Sequence, residues 1–354
     1  MHMTVQIKNM TPGVKLGNAM AGATVSAGYL KELLEFSVAQ GAKRSQLIAM
    51  ANISLEDLQD PDNRLSFASY IALMRAGKQL CNDPALPLRL GAHTDFHKIS
   101  VVGLICYSAA NMMEAFHQLN RYGRLIAEFD MPRAAERFQL VPEGNQMWFE
   151  DTRTDPNDFI EMTEETWSRF VCENRRNFPD MPFVKAVHVP HLKPPHWESY
   201  ERILEVPVVF GSARNALLID PSWAMVELNQ PNQYAFGVLS EHANNLLKSL
   251  EDAQTIRGKV EKLLIPVLHK GEFEMEAVAR QLGLSRQTLY RRLKSEGIRF
   301  ADLLDNLRHQ MALHYLEGKK TSVNETAYLV GFSEPSAFSR AFKRWTGRSP
   351  RNLQ

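Results

Sequence analysis

Residues 322–354 read SVNETAYLVGFSEPSAFSRAFKRWTGRSPRNLQ. Asn324 to Val330 has the spacing of a short helix, and Gly331 breaks it with a turn. A second helix opens behind Ser333. Phe338, Phe342 and Trp345 fall on one face of it at steps of four and three. Arg340, Lys343 and Arg344 fall mostly off that face. An apolar stripe backed by a basic one, just past a glycine turn, is how a helix-turn-helix builds the helix that enters a DNA groove.

The same pattern occurs once more upstream. Glu276 to Ser285 (EAVARQLGLS) reads as helix, tight turn and N-cap, with Ser285 placed to accept a backbone N–H of the next helix. Arg286 to Glu296 forms a basic helix with Leu289 and Leu293 turned inward, and Gly297 stops it. Between the two units, Ala301 to Glu317 reads as one helix, with Leu304, Leu307, Met311 and Tyr315 as its apolar face. Leu289 and Phe338 are 49 positions apart, which suits two motifs tied by one rigid helix. Such a helix sets spacing, because two recognition helices must reach successive major grooves about 34 Å apart.

These residues resemble a known family. The order Ala327, Gly331, Phe332, Ser336, Phe338, Arg340, Phe342, Lys343, Gly347 and Pro350 is similar to the C-terminal signature of AraC/XylS-type transcription regulators. The Tyr-Arg pair usual shortly after that proline is replaced here by Leu353 and Gln354. A looser resemblance covers about residues 35–225. Leu90-Gly91, Gly103-Leu104 with Tyr107, and Ala115-Phe116 with Tyr122 look like the arabinose-binding type of N-terminal domain. So do Tyr200 to Leu204 with Pro207, Phe210-Gly211, and Asn215 to Leu217. This domain type occurs in a subgroup with ornithine-utilisation, quorum-sensing and virulence regulators.

Charge agrees with a two-part protein. Residues 251–354 hold 18 Lys and Arg against 12 Asp and Glu, whereas the first 250 hold 23 against 28. A basic C-terminal third on an acidic remainder suits a DNA-reading module joined to a regulatory one. Cys81, Cys106 and Cys172 are far apart and form no CxxC pair, which points to a reducing compartment. There is no apolar run of signal-peptide type at the start and no uncharged apolar stretch of the roughly 20 residues a membrane span needs. The expected location is the cytoplasm.

The first two thirds mix periods, so an α+β domain is expected. Helices are expected from Tyr29 to Val38, ending at Gly41, at Ser45–Met50, Ser54–Leu58 and Ser66–Cys81, and through Gly103–Phe129. Arg137 to Val141 and Gln146 to Glu150 alternate around Pro142-Glu143-Gly144-Asn145, a hairpin. A helix over Phe159–Asn177, strands at Lys185–Val189, Val208–Phe210 and Ala216–Ile219, and a helix over Gln233–Leu250 complete the series. The expected division is a mobile N-terminus at 1–22, a regulatory domain at 23–232, a linker helix and hinge at 233–254, and an all-α DNA-binding domain at 255–354. Its two helix-turn-helix units fall at about 274–297 and 322–346.

Positions matching the family's base readers are Gln287, Tyr290 and Arg291 in the first unit. In the second they are Glu334, Pro335, Ser336, Ser339 and Arg340. By chemistry, Arg291 can grip guanine O6 and N7, and Gln287 adenine N6 and N7. Arg286, Arg292, Lys294, Lys343 and Arg344 suit phosphates. For a small-molecule effector the candidates are Tyr107, Arg121, Tyr122, Arg124, Trp148 and Trp167. Aromatic rings supply an apolar wall, and Arg holds a carboxylate bidentately. His93 and His97, and His188, His191 and His196, have too few ligands near them in sequence to make a metal site, so neither metal nor cofactor is expected. No nucleotide-binding loop, nucleophile elbow or zinc-protease motif stands at a usable position.

The expected protein is therefore an effector-responsive activator of transcription, not an enzyme. Its partners would be promoter DNA, a small molecule, RNA polymerase and a second copy of the chain. The rival is a constitutive DNA-binding regulator whose N-terminal domain serves only assembly.

Overall fold

The computed structural model describes residues 22–129, 131, 136–228, 231–271, 273–317 and 321–353. The expected mobile segment, 1–22, lies outside them apart from Gly22. The chain divides into two compact units, Met1–Leu247 and Lys248–Gln354.

The first unit opens with β1 (Thr24–Ser26), α1 (Ala27–Ala39), α2 (Arg44–Ala51), β2 (Arg64–Ser66), α3 (Phe67–Leu80), α4 (Leu86–His93), α5 (Phe96–Ile99), α6 (Val101–Ser108) and α7 (Met112–Ile126). Strands β1 and β2 pair antiparallel. There follow β3 (Phe138–Glu143), β4 (Gln146–Asp151), α8 (Ile160–Asn177), β5 (Val184–Val189), α9 (Trp197–Leu204), β6 (Val208–Phe210), β7 (Ala216–Ile219), a 3-10 turn at Pro221–Met225 and α10 (Gln233–Gln254), whose last residues belong to the second unit. Strand order is β3-β4-β7-β5-β6, antiparallel except for β5 and β6. This is the expected α+β unit.

The hairpin is tighter than expected. Pro142 stays in β3 opposite Met147, and only Gly144 and Asn145 turn the chain, with Gly144 at φ +57°. A proline is tolerated there because β3 is an edge strand. Helix α8 is the central helix. Its buried Glu165 and Arg169 pair at 2.8 Å and share the Tyr29 hydroxyl, so the buried charges compensate each other. Helix α4 lies directly on it. A Cβ at Gly91 would come within 2.2 Å of the Glu165 carbonyl oxygen, so the two backbones meet only because this residue has no side chain.

Three expectations change. The single helix over Gly103–Phe129 is two helices, because Asn111 caps α7 by accepting the Glu114 N–H at 2.9 Å. Ser54 to Leu58 is a turn. The Asp57 carboxylate accepts from both the backbone and the hydroxyl of Ser54, a local alternative to helix. Helices α4, α5 and α9 had no counterpart in the sequence reading.

The second unit comprises α11 (Ile256–Leu264), a 3-10 turn at Ile265–Lys270, α12 (Met275–Gln281), α13 (Arg286–Ser295), α14 (Phe300–Glu317), α15 (Val323–Leu329) and α16 (Pro335–Thr346). The segment beyond the expected linker helix and hinge, 256–270, is thus helical. It carries a stripe of Ile256, Val260 and Leu264 at steps of four, all buried. Helix α16 opens at Pro335 with Glu334 as N-cap, one residue later than Ser333 implied. The α14 face is also corrected. Leu303, Leu307, Ala312 and Leu316 are its fully buried residues, with Leu304, Met311 and Tyr315 only partly covered. The helix packs against both α11 and α15, so it is apolar on more than one stripe.

Candidate nucleic-acid interface and ligand cavity

The first helix-turn-helix is α12, the turn Leu282-Gly283-Leu284, and α13. Gly283 sits at φ +67°, the left-handed conformation the turn requires. Ser285 then caps α13 by accepting the Thr288 N–H at 3.1 Å. Ser285→Ala is expected to cost about 1 kcal/mol, read as a lower denaturant midpoint at unchanged slope. An unmoved midpoint would show that the hydroxyl does no capping. Leu289 and Leu293 are buried and seat the helix. Arg286, Gln287, Tyr290, Arg291, Arg292 and Lys294 are all exposed. Of these cations, only Arg286 approaches a carboxylate among the described residues, Glu276 at 4.0 Å.

The end of α13 does something the sequence did not announce. The Glu296 carboxylate accepts the backbone N–H groups of Ile256 at 2.7 Å and Arg257 at 2.9 Å. It thereby satisfies first-turn donors of α11 and sits at the positive end of that helix.

The second helix-turn-helix is α15, the Gly331 turn and α16. Ser322 and Glu325 form a reciprocal capping box at the start of α15. Gly331 is at φ +81°, and a Cβ there would lie 2.3 Å from the Leu268 carbonyl oxygen. The turn is therefore pressed against the 3-10 segment, where only glycine fits. Phe338 and Phe342 are fully buried, and Trp345 packs half-buried on Phe332 and Phe342. Ser336, Arg340, Lys343 and Arg344 are exposed, and Ser339 is half-buried. The face is less cationic than that of α13. Arg344 is paired with Asp305 at 2.7 Å, and exposed Glu334 accepts a hydrogen bond from Ser336. Arg340 and Lys343 make no ion pair among the described residues.

The N-terminal unit contains a cavity of about 330 Å³. That is at the small end of the range for small-molecule sites, ~300–1,000 Å³. Two helix faces build it. Met112, Ala115, Phe116 and Leu119 line it from α7, and Phe170, Glu173, Asn174 and Asn177 from α8, both sets at i, i+3, i+4, i+7. Phe149 of β4, Tyr107 of α6 and Trp223 of the 3-10 turn add aromatic wall. The polar groups are mostly committed. Asn174 accepts the Trp223 indole N–H at 3.2 Å, and the Asn177 amide donates to the Tyr107 hydroxyl at 3.1 Å. Burial pushes the Cys106 thiol up to about 12, which leaves it neutral and unreactive. The Glu173 carboxyl is raised by burial, against the pull of Arg169 and of the Phe96 N–H that it accepts at 3.3 Å.

Comparison with known proteins now decides the family. A family model described as the arabinose-binding domain of AraC transcription regulators, N-terminal, matches residues 41–228, more than half of the chain. The chain belongs to the AraC family of transcription regulators. A helix-turn-helix domain model matches residues 278–354, and one described as bacterial regulatory protein, Fis family, matches 260–295. The ornithine utilization regulator of Pseudomonas aeruginosa is 27% identical over 329 residues, 92% of this chain and 95% of that one. The transcriptional activator RhaS of Escherichia coli is 39% identical over 84 residues, 23% of this chain and 30% of its own length. The crystal structure of the regulator CdpR from Pseudomonas aeruginosa aligns over 87% of this chain and 95% of its own, at 22% identity and a TM-score of 0.41.

Within this AraC-family chain the six effector candidates separate. Tyr107 lines the cavity; the other five do not. Arg121 and Tyr122 both donate to the Asn244 side-chain oxygen of α10, at 3.1 and 2.9 Å. Arg124 lies 3.7 Å from the Glu128 carboxylate. Trp148 neighbours Phe149 on β4 and so points to the opposite face of the sheet, against Arg214 and His188. Trp167 is buried and donates its indole N–H to Asn215 at 2.7 Å. The histidines are packed or hydrogen-bonded. His93 ends α4 and packs tilted on Phe36, and His97 packs tilted on Tyr107, its Nδ1 buried with no hydrogen-bond partner among the described residues. His188 bonds Ser212, His191 bonds Tyr200, and His196 bonds the buried Glu164 at 2.7 Å. No helix among the described residues is long and apolar enough to cross a membrane.

Proposed function

We propose that the chain is a transcription activator governed by a small molecule held in the N-terminal cavity. The observation that carries this reading is that cavity, walled by aromatic rings inside the unit that matches the arabinose-binding domain. Helix α7 supports a route for the signal. One of its faces lines the cavity, and its next turns hold α10 through Tyr122, Arg121 and Asn244. Helix α10 continues in sequence toward the DNA-binding unit. An effector that fits one arrangement of α7 better than another shifts the population of α10 contacts, and with it the DNA-binding state. On DNA, Arg291 and Gln287 read bases and Arg286, Arg292, Lys294 and Lys343 contact phosphates, while the second unit reads fewer bases. RNA polymerase and a second copy of the chain are the further partners in this reading.

The test uses the full chain. Metabolite fractions are screened by thermal shift, and the active fraction is passed to a promoter reporter. A fraction is expected to raise the melting temperature of the native protein and to change reporter output. Ala115→Trp, which fills the cavity from α7, should abolish both responses and keep DNA binding. If the reporter is active and no fraction shifts either form, the N-terminal unit serves assembly alone.

A further inference from the structure

The chemistry of the cavity wall narrows what can occupy it. Glu173 is the only charged side chain among the described residues that line the cavity, and none of those residues is Lys, Arg or His. Its sole hydrogen bond among the described residues is from the Phe96 N–H, and at 3.3 Å that is a long one. Of the two arginines that pull on it, Arg169 is committed to Glu165 and Tyr29, and Arg176 to the carbonyls of Ala92 and Thr94. A half-buried carboxylate that faces an apolar cavity without a close partner is costly, and an arriving cation recovers that cost. Around it stand the rings of Phe96, Tyr107, Phe116, Phe170, Phe178 and Trp223. Aromatic faces attract cations, and more strongly where water is excluded. A carboxylate ligand, by contrast, would lie beside Glu173, and the arginines of the small adjoining cavity, Arg137 and Arg169, are paired with Asp151 and Glu165.

Resting on the reading of this cavity as the effector site, we propose that it selects an amine: an ammonium head on Glu173 and an apolar body among the rings. Free carboxylic acids are rejected. An α-amino acid is disfavoured as well, because its carboxylate finds no cation in the wall. Size limits the ligand to a small molecule of one ring or a short chain.

A series with a common aromatic body tests this on the full-length protein. 2-Phenylethylamine, 2-phenylethanol, 3-phenylpropanoate and L-phenylalanine share one ring and differ only in the polar end. Titration calorimetry at neutral pH should rank the amine first, at least tenfold above the alcohol, with the acid and the amino acid weakest. Glu173→Gln should lower amine affinity at least tenfold and leave the alcohol within about threefold. Retained circular dichroism and DNA binding establish that the variant folds. If the acid or the amino acid binds as well as the amine, or Glu173→Gln leaves amine affinity unchanged, the assignment of an amine is overturned and the effector cavity stands. If Ala115→Trp leaves binding of every probe untouched, the effector-site reading falls; if no probe binds at all, the amine assignment is overturned and the effector-site reading is decided by the metabolite screen.

Discussion

Phe342→Ala is expected to destabilise the C-terminal unit by about 3–5 kcal/mol, as a truncation in a closed core. The side chain is fully buried. Its ring lies 5.6 Å from that of Phe338, 6.5 Å from Trp345 and 6.2 Å from His309 on α14. The residue therefore joins the recognition helix of the second motif to the helix that spaces the two motifs. Removing it takes away apolar burial and leaves a void between α14 and α16 that flanking helices cannot fill without moving. The measurement is urea unfolding of the fragment that begins at Lys248. Arg340→Ala, exposed on the same helix, serves as the control and should stay within about 0.5 kcal/mol of the parent. If Phe342→Ala unfolds at the parental midpoint, the apolar stripe has been placed on the wrong face of α16.

What was legible in the sequence was local. Ser285, the Gly283 turn and the Leu289–Leu293 step define α13 within a dozen residues, and each has a short-range physical cause. The same holds for Gly331 and the Phe338–Phe342 step. The structure departs where distant residues decide. Glu296 reads as the last turn of a basic helix, yet its carboxylate serves α11, 40 positions earlier. The buried face of α14 differs from the single stripe because two neighbours cover it, whereas a single stripe describes a helix with one neighbour. Asn111 divides the long apolar run after Gly103, although a capping asparagine three residues before Glu114 was there to be read.

The cavity illustrates the other limit. Its two walls are written in sequence as Met112, Ala115, Phe116, Leu119 and as Phe170, Glu173, Asn174, Asn177. A face that lines a cavity has the same period as one that packs solidly, so periodicity alone does not separate them. Large aromatic and arginine side chains such as Trp148, Trp167, Arg121 and Tyr122 have the chemistry of a ligand wall, yet the fold uses them for packing and for holding α10. The signal that distinguishes the α8 wall is its composition. A carboxylate and two amides share one stripe with a phenylalanine, polar groups that an ordinary core face excludes.

Arg291→Ala is expected to weaken binding to the cognate operator by about 1–3 kcal/mol, roughly fivefold to more than a hundredfold. The guanidinium is exposed and makes no ion pair among the described residues, so it needs no rearrangement before meeting a base. Helix α13 holds it in place, because Leu289 and Leu293 fix the rotation of the helix and Gln287, one turn earlier, shares its face. A bidentate contact to guanine is lost on the cognate site alone, whereas a phosphate contact is lost on every sequence. Lys294→Ala supplies that comparison. It should weaken cognate and scrambled DNA alike and reduce the salt slope by about one. The operator is first selected from a random duplex pool with the parent protein. Dissociation constants are then measured on cognate and scrambled duplexes across a salt series. Equal losses on both duplexes for Arg291→Ala, with a shallower salt slope, would move Arg291 from base reading to the phosphate backbone and leave Gln287 and Tyr290 as the base-reading side chains of α13.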